Sequence, residues 1–257
     1  MPSPPRSYTS FPSHADLFYF CTTSSTSEED LNIRYAPPSK SSLRIGVVIL
    51  NQDQIQLLDL AALDLLATLS RNRISKMKTS PGAVDEAMDE IDIRYVSVTG
   101  EGSFPVTSGS RMPVTNSFAN APQFDVLIVP GSFTSGELPV SATGFITMQC
   151  LNPGLLAIMS IASGVLHLVQ TGILHKTRAA APKCLLPALQ QQYPETLWQH
   201  SSWSRHEKIW SSNSAISALD MMATWIREYF WDRTEAVEWA LRGAGIGPLE
   251  DYNHCDY

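Results

Sequence analysis

Leu155-Leu156-Ala157-Ile158-Met159-Ser160-Ile161-Ala162-Ser163-Gly164 reads as a buried strand that turns sharply into a helix, an apolar run giving way to three small residues. A corner of this kind holds one side chain at the tip of a strained strand-to-helix turn, with backbone N–H groups and the helix N-terminus ready to receive an oxyanion. The residue at the tip is Ala162, whose methyl group carries no reactive atom. The stretch therefore specifies a scaffold more firmly than a reaction.

Working outward, Leu43-Arg44-Ile45-Gly46-Val47-Val48-Ile49-Leu50 has the apolar, β-branched character of a strand covered on both faces. Leu58, Ala61, Ala62, Leu65, Leu66 and Leu69 then recur at helical spacing and predict a helix over 57–69. The polar stretch 71–90 reads as a surface excursion, 91–98 as a strand, and 106–118 as a short hairpin interrupted by Pro113. Phe124-Asp125-Val126-Leu127-Ile128-Val129-Pro130-Gly131 is a further buried strand running into a glycine turn. After the elbow helix, which Thr171-Gly172 stops, the pattern predicts a helix over 182–192, a strand over 208–212 and an amphipathic helix over 216–231. Strands alternating with helices imply a mostly parallel sheet with helices on both faces: a three-layer, flavodoxin-like α/β sandwich containing an elbow. Residues 1–42, rich in Ser, Thr and Pro, read as a flexible leader, and 43–257 as one α/β domain with a C-terminal extension.

The chain has 257 residues, 44% of them hydrophobic, enough for one substantial core, and a formal net charge of -7 that offers no basic field to nucleic acid or an anionic membrane. Cys21, Cys150, Cys184 and Cys255 are scattered without metal-like spacing, so free thiols in a reducing, cytoplasmic setting are expected. No nucleotide loop, metal cluster or dinucleotide fingerprint is visible, and no cofactor is expected.

Taken in order, Ile45-Gly46-Val47-Val48-Ile49, Leu57-Leu58-Asp59-Leu60, the 124–131 strand, Ile161-Ala162-Ser163-Gly164-Val165, Thr171-Gly172-Ile173-Leu174 and Arg178-Ala179 resemble the ThiJ/PfpI superfamily, the class I glutamine amidotransferase-like fold. The resemblance covers roughly 43–232 and is strongest to the isonitrile hydratase-like branch. It implies a homodimer and a cysteine at the elbow, where this chain has Ala162. Protease-like members carry a histidine after Arg-Ala-Thr-Thr, where Arg178-Ala179-Ala180-Ala181-Pro182 stands. Asp59 matches the acid that the isonitrile hydratase-like members place after the first strand. Pro130-Gly131-Ser132 resembles the Pro-Gly-Gly turn, so the resemblance assigns substrate binding to Gly131, Ser132, Ala162 and Ser163, with the N–H groups of Ser132 and Ser163 facing the substrate.

Each candidate has a plainer reading beside it. Asp59 serves equally as a helix N-cap or solvated residue and as a buried acid whose raised pKa suits it to general acid catalysis. Ser163 and His167, four residues apart on one helix, could activate a hydroxyl, but a hydrogen-bonded core histidine is the preferred reading. Cys184 beside Lys183 at a helix start could be a substitute nucleophile; a small packed residue is preferred. His200 and His206 fit a pocket rim or an exposed hairpin, and the segment 239–257 a subunit wrap or a pocket cover. The expected function is an isonitrile hydratase-like enzyme acting on a small-molecule metabolite of secondary metabolism, by hydration, elimination or cyclisation with Asp59 as acid–base. The alternative is a non-catalytic metabolite-binding or regulatory protein.

Overall fold

A seven-stranded sheet forms the middle layer of the protein, in the order β10-β11-β7-β6-β1-β2-β5. The computed structural model describes residues 39–50, 54–132 and 136–247. Most of the expected leader, the end of the chain from 248 onward, and Cys21 and Cys255 lie outside the described residues. Strand β1 (Ser42–Val48) is central, paired in parallel with β2 (Glu90–Ser97) and β6 (Val126–Val129). β6 pairs in parallel with β7 (Ala157–Ser160), and β7 with β11 (Ile209–Ser212). The two-residue β5 (Asn116–Ser117) closes one edge, and β10 (Trp203–His206), the sheet's antiparallel member, closes the other.

Period-two alternation sends successive side chains to opposite faces, which is why β6 is apolar throughout and β1 is buried from Ile45 to Val48. Val47, Ile128 and Met159 face one core, shared with Leu63 and Leu66 of α1 (Ala61–Thr68) and Met222 and Ile226 of α7 (Ala215–Tyr229). Val48, Leu127, Val129 and Ile158 face the other, filled by Phe145 and Ile146 of α4 (Val140–Leu151) and Leu168 of α5 (Val165–Gln170). The three-layer α/β architecture expected from the strand-helix alternation is the one observed. No helix among the described residues is long and apolar enough to cross a membrane.

Three local expectations require correction. The 71–90 segment is not a surface excursion: it folds into two short helices, α2 (Arg71–Ile74) and α3 (Pro81–Glu86), which bury Ile74, Ala83 and Ala87 against Ala236 of α8 (Thr234–Gly243). Trp239 packs on this same cluster, placing the described start of the C-terminal segment on the protein's own core. The hairpin begins earlier than expected, pairing β3 (Ser103–Pro105) with β4 (Arg111–Pro113), and Pro113 ends it. The helix expected from Pro182 begins at Leu186 (α6, Leu186–Gln192), after a turn closed by the Leu185 N–H to Pro182. Between them, β8 (Arg178–Ala180) and β9 (Leu197–Gln199) form a separate parallel pair.

Candidate functional site

The elbow follows β7 directly. Ile161 is extended, and Ala162 takes φ +49°, the left-handed region that an L-residue enters at a cost of roughly 1–2 kcal/mol. A tight turn over Ala162–Gly164 then leads into α5. Gly164 makes this corner possible, because a Cβ there would lie 2.1 Å from the Val129 carbonyl oxygen of the neighbouring strand. The sequence supplies small residues where β6 and the elbow must pass within backbone contact.

Asp59 sits in a single turn of 3-10 helix, Leu57–Leu60, that leads into α1. Its neighbours Leu57 and Leu58 are exposed, yet Asp59 itself is 1% exposed. It is neither a cap nor a solvated residue: Oδ2 accepts the N–H of Gly131 at 2.9 Å, and Oδ1 has no hydrogen-bond partner among the described residues. Burial pushes its carboxyl from 3.8 up to about 6, against the downward pull of the Gly131 N–H. A Cβ on Gly131 would stand 2.7 Å from both Asp59 Oδ2 and Ser163 Oγ, so glycine lets an acid and a hydroxyl close in on one backbone atom.

The turn after β6 and the elbow are tied together at Ser132 and Ser163. The Ser132 N–H donates to Ser163 Oγ at 3.0 Å, and Ser163 Oγ donates back to the Ser132 carbonyl at 2.8 Å. The Ser132 N–H expected to face a substrate is therefore spent on its neighbour's hydroxyl. His167, 5% exposed, does not pair with Ser163 as the four-residue spacing suggests; its Nε2 lies 3.0 Å from Ser132 Oγ. This pairing joins the turn after β6 to helix α5, which follows the adjacent parallel strand β7, and no local spacing could reveal it. Asp59, Gly131, Ser132, Ser163 and His167 thus form a continuous polar seam beside Ala162.

Other candidates lie outside the seam. Cys184 is exposed in the turn before α6, so it has neither the helix start nor the packing anticipated for it. His206 lies on the edge strand β10 and His200 just before it, in a region ordered by Trp203 stacked on Trp210 at 5.6 Å with Arg205 4.7 Å over the Trp210 ring. Among the described residues no group of three or more His, Cys, Asp or Glu side chains is placed to hold a metal ion.

No family model and no curated protein matches the sequence. Solved structures do match the fold. A DJ-1 superfamily protein from Salmonella typhimurium, solved as a cysteine-to-alanine mutant, is 14% identical, with 80% of this chain and 100% of that chain covered and a TM-score of 0.62. An AraC family transcriptional regulator from Pseudomonas putida is 20% identical over 77% of this chain and 99% of that chain, with a TM-score of 0.60. A ThiJ/PfpI family protein from Pseudomonas syringae is 16% identical over 92% of this chain and 88% of that chain, with a TM-score of 0.59. The strand order, the elbow and these similarities together give the chain the DJ-1/ThiJ/PfpI α/β fold.

Proposed function

We propose that the protein is a small-molecule enzyme of the isonitrile hydratase-like kind that works by proton transfer without an elbow nucleophile. One observation carries the reading: a carboxyl group, fully enclosed, with its pKa raised to about 6 and one oxygen lacking a partner among the described residues, stands beside the elbow. Near neutrality such a group exists in both protonation states and can give or take a proton within one turnover. Gly131 holds Oδ2, which leaves Oδ1 as the exchanging atom. Ala162 places only a methyl group at the elbow tip, beside the seam that Ser132 and Ser163 hold together. Hydration, elimination and cyclisation of an activated metabolite need no more than a proton shuttle and a shaped site. Dimerisation and a cytoplasmic location accompany this proposal.

A second reading, a metabolite-binding or regulatory protein, gains from the fact that the N–H groups of both Gly131 and Ser132 are internally satisfied, so this turn presents no oxyanion donor. It gains also from the regulator among the similar structures. The test that separates them compares metabolites in cells carrying the native protein and Asp59→Asn, then incubates any accumulating compound with purified protein. A compound that accumulates in the mutant and is consumed by native protein alone supports the enzyme. Identical profiles from two folded proteins refute catalysis through Asp59 and leave the binding protein.

A further inference from the structure

The outer face of α4 is an exposed apolar strip. Ala142, Phe145, Ile146 and Gln149 form the buried inner face of this helix. On the opposite side, Val140, Gly144, Met148 and Leu151 fall within an arc of about 80° at the α-helical period. Val140 is 89% exposed, Leu151 78% and Met148 48%, and Gly144 is exposed with them. Whereas α1, α7 and α8 each carry ionised side chains, the α4 sequence VSATGFITMQCL has none. A contiguous, uncharged apolar strip on a surface helix marks an interaction site.

The order of residues along the strip fits a second copy of the same helix. The pairs Val140 with Leu151 and Gly144 with Met148 are both centred near Ile146. A two-fold axis at that level therefore sets Val140 against Leu151 of the second copy, and Met148, the longest side chain of the strip, against its Gly144. A Cβ at Gly144 would have nothing within 4 Å, so this gap is open to a methionine side chain. The antiparallel crossing also opposes the two helix dipoles. It brings Glu137, exposed just ahead of one α4, toward Lys208 at the far end of the other, where the Lys208 ammonium bonds the Cys150 and Asn152 carbonyls. We propose that α4 is the contact of a homodimer, crossing α4 of a second copy antiparallel about a two-fold axis near Ile146. The strip is roughly 16 Å by 10 Å, well short of the roughly 800 Å² per partner of a tight complex, so the dimer dissociates on dilution. The interface uses neither Asp59 nor the elbow, so it and the enzyme reading can fail separately.

The test is analytical sedimentation of the full chain from about 1 to about 200 μM, the range in which a small interface associates. The mass is expected to rise from that of one chain toward that of two. Gly144→Glu has room on the single chain and replaces glycine by a better helix former, so it folds; it lowers the association constant about tenfold or more by placing a carboxylate in the contact. Ile216→Glu, at a side chain 71% exposed at the start of α7, leaves association unchanged. Orientation is read by oxidising an equimolar mixture of Val140→Cys and Leu151→Cys and mapping the disulfides. The expected bond joins position 140 of one chain to 151 of the other, while neither variant alone links through its new cysteine, since equivalent positions lie about 16 Å apart along the crossing. The mass of one chain at every concentration, or disulfides joining 140 to 140 or 151 to 151, overturns the proposal. A dimer that survives Gly144→Glu overturns it as well, removing this interface while leaving dimerisation itself in place.

Discussion

Replacing Asp59 by asparagine changes the pH dependence of stability in a direction fixed by its environment. The carboxyl has its pKa at about 6 in the folded protein against 3.8 for the ordinary side chain, so the native state binds the proton more tightly than the unfolded chain does. Protonation therefore stabilises the fold. The stabilisation is complete below about pH 4 and is lost as pH rises through about 6, above which the ionised group remains enclosed at a constant cost. A difference of about two units at about 1.4 kcal/mol each sets that cost at up to about 3 kcal/mol. Asparagine never ionises, and its carbonyl still accepts the Gly131 N–H, although its amide group faces the Oδ1 side where no partner exists among the described residues. That fixed penalty, about 1–3 kcal/mol, is independent of pH and cancels when one variant is compared with itself. Urea unfolding of both proteins at intervals from about pH 4 to about pH 8 reads the remaining term. Asp59→Asn gains on the native protein as pH rises, by about 2–3 kcal/mol across the window. A stability difference that is flat with pH, or that moves the other way, refutes a raised Asp59 pKa and with it the proton-shuttle reading.

Three further substitutions test the elbow and the core. Ala162→Gly relieves roughly 1–2 kcal/mol of left-handed strain against a glycine entropy cost of roughly 0.5–1 kcal/mol, so a small gain of about 0.5–1 kcal/mol is expected in chemical denaturation. Gly164→Ala forces a Cβ against the immovable backbone of Val129 and loses about 3 kcal/mol or more, visible as a lower melting temperature. Trp210→Ala empties a site that is 1% exposed and unstacks Trp203, costing about 4 kcal/mol and lowering the urea midpoint.

The fold was legible wherever a segment's surroundings are written in its own residues. β6, β7 as far as Met159, and β1 from Ile45 onward are apolar because both faces are covered, and the two glycine-ended turns after β6 and β7 mark where the chain reverses direction. The 71–90 segment reads as surface because its partner, α8, lies about 150 residues further on, and a run with four buried residues among many polar ones looks like surface until that partner is known. The late start of α6 did have a signal: Pro187 falls in the first helical turn, where a missing N–H costs nothing. At the site, Asp59, Gly131, Ala162 and Ser163 could be named because they sit in short conspicuous motifs. The Ser132–His167 contact could not, since it depends on how far β6 and β7 slide past one another, a register set by side chains elsewhere in the sheet.

The central strand is anchored by residues synthesised long after it. Just before β1, the Ser39 N–H reaches Asp232, the Lys40 N–H reaches the Tyr229 hydroxyl, and Arg233 bonds both the Ser39 hydroxyl and the Glu86 carbonyl. Ser39 and Asp232 are 193 residues apart, so at roughly 5–20 residues per second the ribosome needs about 10–40 s to deliver the second after the first. During that interval the nascent sheet has β1, β2, β6 and β7 but neither the α7 and α8 cover on one face nor its late latch. The apolar face that α7 and α8 cover is therefore the last part of this sheet to be closed.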